Sequence, residues 1–183
     1  MSAAQFSVTY TEPRSRISTL FRAILIIPHF IVMNAWQYLA QVLGFLQWWI
    51  ILFTGKRNKS IWGLQNAWLG YAARVNAYWG LMFDKWPNIG TEPSGEPTTY
   101  SFEYEQKARR LSNFFRVIWA IPALIISLVI MVFAIVASIL CWFAIIIIGK
   151  QPKGLFHFLN KVHQFMTQVN SYLLLMTDSY PKL

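Results

Sequence analysis

Charged side chains are scarce in this chain, at 13% of residues, against about 25% in a soluble globular domain. Such scarcity argues against a freely soluble protein. Cysteine is nearly absent too. Cys141 stands alone, which excludes an internal disulfide. It lies in an apolar run with no neighbour to lower its pKa, and reads as a small buried hydrophobe. Two apolar stretches, about residues 17–53 and 111–148, contain no Asp, Glu or Lys. That argues against an ion-coupled transporter, whose substrate or proton path needs ionisable groups at mid-membrane. No Ser–His or Cys–His pairing offers a nucleophile. The pairs Gly55-Lys56 and Gly149-Lys150 lack the rest of a phosphate loop. They read as helix C-caps, glycine taking a positive φ and lysine lying at the negative helix end. His157 and His163 lie six residues apart, off the spacing of three or four that shares a helix face, so no metal site is expected. Neither an enzymatic activity nor a cofactor is predicted. Met1 to Pro13 is polar and mixed, so no secretory leader is expected there.

What is present is apolar and aromatic. Hydrophobic residues reach 56% and aromatic ones 17%, with 9 Trp. Trp and Tyr concentrate where apolar and polar surroundings meet, as at a bilayer interface. The net charge is +9, and the basic residues flank the apolar runs, which suits anionic lipid headgroups better than nucleic acid. Membrane lipids are therefore the expected partner, and nucleic acid is not.

The sequence repeats itself at an offset of 94 residues without a gap. Phe21-Arg22 returns as Phe115-Arg116, Ile27-Pro28 as Ile121-Pro122, Gly55-Lys56 as Gly149-Lys150, and Val75-Asn76 as Val169-Asn170. Asp84 and Pro87 return as Asp178 and Pro181. This divides the chain into a first repeat at 1–87, a linker at 88–99 rich in Pro and Gly, and a second repeat at 100–183.

Each unit has four parts. Phe6, Val8 and Tyr10, and likewise Tyr100, Phe102 and Tyr104, alternate with polar residues as a short strand does. A basic segment follows, and then the apolar run. As one straight helix, a run of about 37 residues would be about 55 Å long, against about 30 Å of hydrocarbon core. A helical hairpin is therefore expected over about 17–53, turning at Asn34, Gln37 and Gln41, and another over about 111–148, turning near Met131. The rival topology has one crossing per unit, with Pro28 and Pro122 separating an interfacial segment from a single span. Hairpins bring the flanking Lys and Arg residues to one face, as the positive-inside rule prefers. The last part is an amphipathic helix, at about 60–83 and again at about 154–177. Leu64, Trp68, Tyr71, Val75, Tyr78 and Met82 form an apolar seam, repeated as Phe158, Val162, Phe165, Val169, Tyr172 and Met176. The predicted fold is a membrane all-α protein with minor β, built from two tandem repeats of strand, transmembrane hairpin and interfacial helix. A pseudo-two-fold axis along the membrane normal would pair the strands around Val8 and Phe102 antiparallel.

Tyr10, Arg16, Phe21-Arg22, Ile27-Pro28-His29, Gly55-Lys56, Arg74-Val75, Tyr78 and the ending from Asp84 to Pro87 resemble the bacterial membrane family catalogued as domain of unknown function 4389, in two copies. The chain departs from that pattern with Asn58 where Pro is typical, Ala123 for the His and Gln168 for the Arg. The resemblance implies membrane location and no established activity. From the residues, the leading expectation is a non-catalytic accessory or scaffold subunit of a larger membrane complex in the bacterial inner membrane, with both termini cytoplasmic. A lipid-binding or membrane-organising protein is the alternative, with Arg16, Arg22, Arg74, Arg110 and Arg116 on anionic headgroups. A third reading makes His29 the ligand of a haem or pigment. Asp84 and Asp178 are expected to end helices and pair with nearby arginines.

Overall fold

The computed structural model describes residues 2–182. In chain order the elements are β1 (Gln5–Val8), α1 (Arg16–Leu25), α2 (Ile27–Thr54), α3 (Lys59–Trp79), β2 (Thr98–Ser101), α4 (Arg110–Phe114), α5 (Arg116–Ile148) and α6 (Lys153–Leu173). Local chemistry sets the helix ends. The Ser15 side chain accepts from the Ser18 N–H at the start of α1, and Asn58 accepts from Ser60 and Ile61 at the start of α3. Pro28 falls in the first turn of α2, where its missing N–H breaks no helical bond. Gly55 and Gly149, with φ of 69° and 76°, end α2 and α5 in the left-handed region as expected of C-caps.

The apolar runs do not fold back as hairpins. Residues 27–54 form one continuous helix, joined to α1 by a 45° bend at Ile26. In the second unit the break moves to Phe115, and α5 continues for 33 residues with Pro122 inside it. Asn34, the expected turn, turns its side chain back onto the Phe30 carbonyl at 2.7 Å, within the helix. Nothing between Asn34 and Gln41 supplies the Gly or Pro that a tight helical turn needs. Here the rival arrangement of one long helix per unit is closer, although only Pro28 marks a break. Each amphipathic helix also ends earlier than its apolar seam. Leu81 and Leu175 take left-handed backbone, φ 62° and 64°, just past α3 and α6.

The two strands pair antiparallel with Phe6 opposite Tyr100 and Val8 opposite Thr98. Phe6 and Tyr100 are repeat partners, so a pseudo-two-fold axis passes between them. Strand β2 begins inside the expected linker, and Phe102 lies beyond its end. Strand β1 lies on α6, where its Val8 N–H donates to Asn160 at 3.0 Å and its Phe6 N–H to Gln164. Helix α3 packs beside α6, α2 lies along α3, and α5 along α6. The result is three layers: the sheet and linker, then α3 with α6, then α2 with α5. The middle layer carries the core. The seam residues Trp68, Tyr71, Val75, Tyr78 and Met82 are buried, as are Val162, Phe165, Val169, Tyr172 and Met176. Leu64 is the exception on α3, exposed on a face that no layer covers.

The ends of the long helices meet reciprocally. The Ala108 N–H donates to the Gly55 carbonyl and the Arg14 N–H to the Gly149 carbonyl, both at 3.0 Å. The end of α2 thus abuts the start of the second unit's helices, and the end of α5 abuts the start of the first's. Helices α2 and α5 are therefore antiparallel. Their outer faces are apolar: Ile31, Val42, Phe45 and Phe53 are exposed on α2, and Leu128, Val132, Phe133 and Ile147 on α5. Helix α5 packs inward through a stripe of small residues, Ala120, Ala123, Ala134, Ala137 and Cys141. The lone cysteine is fully buried, as expected of a small hydrophobe.

Candidate functional site

Two ion clusters stand at opposite ends of the molecule. In the first, Asp84 pairs with Arg22 at 2.8 Å and lies 3.9 Å from Arg14. In the second, Asp178 pairs with Arg116 at 2.7 Å and Arg57 at 2.8 Å. Each aspartate also accepts from the backbone N–H at the N-cap of its own unit's first helix, Ser15 at 2.8 Å and Arg109 at 2.9 Å. Arg22 and Arg116 are repeat partners, but Arg14 and Arg57 are not. Arg14 corresponds to Ala108, and Arg57 to Gln151. Each cluster therefore holds two arginines and one aspartate by a different route. Arg14 donates to the Leu81 carbonyl and Arg57 to the Leu175 carbonyl, the two left-handed residues. The guanidinium groups of Arg22 and Arg116 also lie over the Tyr78 and Tyr172 rings, at 4.3 and 4.1 Å. Burial pulls the Arg14 pKa below its usual value, and Asp84 opposes that pull. The expectation that Asp84 and Asp178 pair with arginine is met, but the helices end earlier, at Trp79 and Leu173.

This corrects three of the five arginines expected on headgroups. Arg22 and Arg116 are enclosed by their own clusters. Arg74 is equally buried and donates to the Gly90 and Thr91 carbonyls of the linker, at 2.6 and 3.2 Å. Burial lowers its pKa, with Glu96 opposing. These side chains hold the chain together, and none is more than 3% exposed. Arg16 and Arg110 differ: both are exposed, each at the C-cap of the other unit's long helix. Arg16 donates to the Ile147 carbonyl at 3.0 Å.

His29 is not placed as an axial ligand. Its imidazole is wholly buried, with Nδ1 hydrogen-bonded to the Tyr71 hydroxyl at 2.7 Å and the ring 4.5 Å from that of Trp86. Trp86 in turn donates to the Leu25 carbonyl at the α1–α2 bend, at 3.0 Å. The histidine thus belongs to the packing that fixes the bend, and no face of it is open to a macrocycle. Among the described residues no group of three or more His, Cys, Asp or Glu side chains could hold a metal.

The structure also contains a paired feature the sequence did not announce. Two grooves of about 560 and 650 Å³ open along the long helices, the first between α2 and the start of α5 with α6, the second between α5 and α1 with the end of α3. They are related by the repeat: Trp48, Gly44, Arg116 and Leu175 line the first, and Trp142, Ser138, Arg22 and Leu81 the second. Asn170 borders both. His163 forms part of the second wall. It faces the groove, yet apolar surroundings push its imidazole pKa down to about 4, so it is neutral at physiological pH. The identity of Trp48 with Trp142, of Arg22 with Arg116 and of Leu81 with Leu175 at the repeat offset was the sequence signal for these grooves.

The profile of one family, described as Domain of unknown function (DUF4389), matches residues 16–88 and again 110–183. The chain belongs to the DUF4389 family. It carries two tandem copies of the domain, and each match covers one unit from the start of its first helix to the segment after its amphipathic helix. No curated protein and no solved structure matches the chain. Helix α5 is long and apolar enough to cross a membrane, and α1 with α2 passes the same test across its bend. The most apolar stretch of α5 is only 17% buried, unlike the core helix of a soluble protein.

Proposed function

We propose that this DUF4389 protein is an integral membrane protein that lies in the plane of one leaflet and organises anionic lipid beneath it. The reading rests on one observation: the polar sheet and the linker cover the middle of the α3–α6 pair, opposite the layer formed by the apolar long helices. If α2 and α5 crossed the bilayer end to end, that sheet would sit at mid-depth with its backbone edge in hydrocarbon, where an unpaired N–H or C=O costs several kcal/mol. Lying flat, the same helices give their apolar faces to acyl chains, while the sheet stays in water. An apolar surface of this extent is unstable in water. Lys and Arg residues at both ends of both long helices then fall on one face, and by the positive-inside preference that face is cytoplasmic, in a bacterial inner membrane.

Arg16 and Arg110, exposed beside the apolar surface, are the anionic-headgroup ligands in this reading. Each is worth about 1 kcal/mol, or about fivefold, at an anionic surface. The test is polymer excision of the protein from vesicles of phosphatidylcholine with a minority of phosphatidylglycerol. The excised particles should be enriched in phosphatidylglycerol relative to the bulk, and Arg16→Gln with Arg110→Gln should return them to the bulk ratio. Enrichment unaffected by that double change would remove the two arginines from the role, and no enrichment in the unaltered protein would defeat the reading.

A second reading, the scaffold subunit, has one observation in its favour. The outer edge of β1 is capped by Asn160 and Gln164, whereas their repeat equivalents opposite β2 are Asn66 and Gly70. Asn66 accepts from the Tyr100 hydroxyl instead, at 2.6 Å. Among the described residues no helix side chain caps the β2 edge, so it can accept a strand from a partner subunit. Partner chains retained with the protein in mild detergent would support this role.

A further inference from the structure

We infer that the two grooves are specific phospholipid sites, each holding one acyl chain with its ester end at a buried arginine, Arg22 in one and Arg116 in the other. This rests on the in-leaflet reading and deepens it. Volumes of about 560 and 650 Å³ fall within the usual range for small-molecule sites. Both grooves open beside apolar residues, Phe45 and Ile139 being repeat partners that are exposed on the outer face and line the groove mouth as well. They are therefore continuous with the surface given to lipid. A concave apolar groove facing acyl chains fills with the nearest apolar chain.

Filling alone gives no specificity, because within a bilayer the hydrocarbon around a chain and the hydrocarbon of a groove are nearly equivalent. The polar end supplies the preference. Arg22 and Arg116 satisfy their terminal nitrogens on protein carbonyls and aspartates, but Nε of each is buried without an acceptor. Thr19, 1% exposed on the wall of the second groove, has its hydroxyl unpartnered as well. A buried donor without an acceptor is costly, and an ester carbonyl at the head of a chain would satisfy it. Further along the chain, Arg16 stands one turn before Thr19 and Arg110 precedes Arg116 by six residues, where a phosphate would lie. The sites recur at equivalent positions of both units, so the expected stoichiometry is two lipids per chain.

Native mass spectrometry of the full chain, extracted in mild detergent from vesicles of phosphatidylcholine and phosphatidylglycerol, tests this. Two retained phospholipids per chain are expected. Gly44→Leu and Ser138→Leu, repeat partners on the two walls, should each remove one, and together both. A Cβ at Gly44 meets nothing closer than 3.5 Å, so the backbone there admits a side chain. Should either variant fail to fold, Gln41→Trp and Ile135→Trp fill the same grooves from their exposed rims. No retained lipid, a count unmoved by all four changes, or a protein dimer held through the grooves would overturn the inference. If polymer-excised particles still show anionic enrichment in that case, the grooves alone are refuted. If they show none, the in-leaflet reading falls with them.

Discussion

At Asp178 two guanidinium groups share one carboxylate, and all three side chains are at least 96% buried. Removing the carboxylate leaves two buried positive charges facing each other, and breaking a buried pair in this way costs about 3–5 kcal/mol. Asp84 does the same work with its side chain 22% exposed, so water takes up part of the loss. Asp178→Ala should therefore destabilise the chain by about 3–5 kcal/mol and Asp84→Ala by clearly less. Chemical unfolding in detergent measures both, and equal losses would show that the two clusters are not energetically distinct. Replacing Asp by Asn preserves the hydrogen-bond acceptor for Ser15 or Arg109, so Asp178→Asn separates the charge from the cap. The unequal origin of the second arginine, from the same unit at Asp84 and from the other unit at Asp178, explains why the sequence hid the clusters. Arg14 and Arg57 have no repeat partners of their own type, and each appears unpaired until the fold brings it to a left-handed leucine, Leu81 of its own unit for Arg14 and Leu175 of the other unit for Arg57.

Among the elements, the amphipathic helices were the most legible. Their seam of apolar residues at spacings of three and four states which face is covered, and ten of its twelve positions are buried. The long helices were misread because length was compared with bilayer thickness on the assumption that a long apolar run must cross. In the proposed in-leaflet placement a helix has no such limit; in the structure Gln37 and Gln41 line a groove and Asn34 lies on the surface, and none of them marks a turn. The C-caps were read correctly from Gly-Lys, and they carry a prediction. Alanine at φ near +70° costs about 1 kcal/mol relative to glycine. At Gly149 a new Cβ would meet Arg16 at 3.6 Å, an ordinary contact, whereas at Gly55 it would meet Arg110 at 3.1 Å. Gly55→Ala should thus cost more than Gly149→Ala. It should also displace Arg110, lowering anionic-lipid enrichment where Gly149→Ala does not. Thermal melts paired with the excision assay check both parts.

For the molecule as a whole, the deciding quantity is the direction of the pseudo-two-fold axis relative to the bilayer. That axis passes between Phe6 and Tyr100 and relates α2 to an antiparallel α5. If it lies along the membrane normal, the helices lie flat and both ends of the molecule face the same compartment. If it lies in the membrane plane, the helices cross in opposite senses and the ends face opposite compartments. The starts of α3 and α6 report the difference, because they follow the ends of α2 and α5. Lys59 and Lys153 are repeat partners, both exposed, at those two starts. The native Cys141 is fully buried and does not compete for reagent. With Lys59→Cys and Lys153→Cys made singly, a membrane-impermeant maleimide should label both in inverted inner-membrane vesicles and neither in intact spheroplasts. One residue labelled in each preparation would mean that the long helices cross, and the sheet would then require another protein to shield it from lipid. Labelling of both only from outside would keep the flat geometry and reverse the leaflet, against the pull of the basic residues at both ends of α2 and α5.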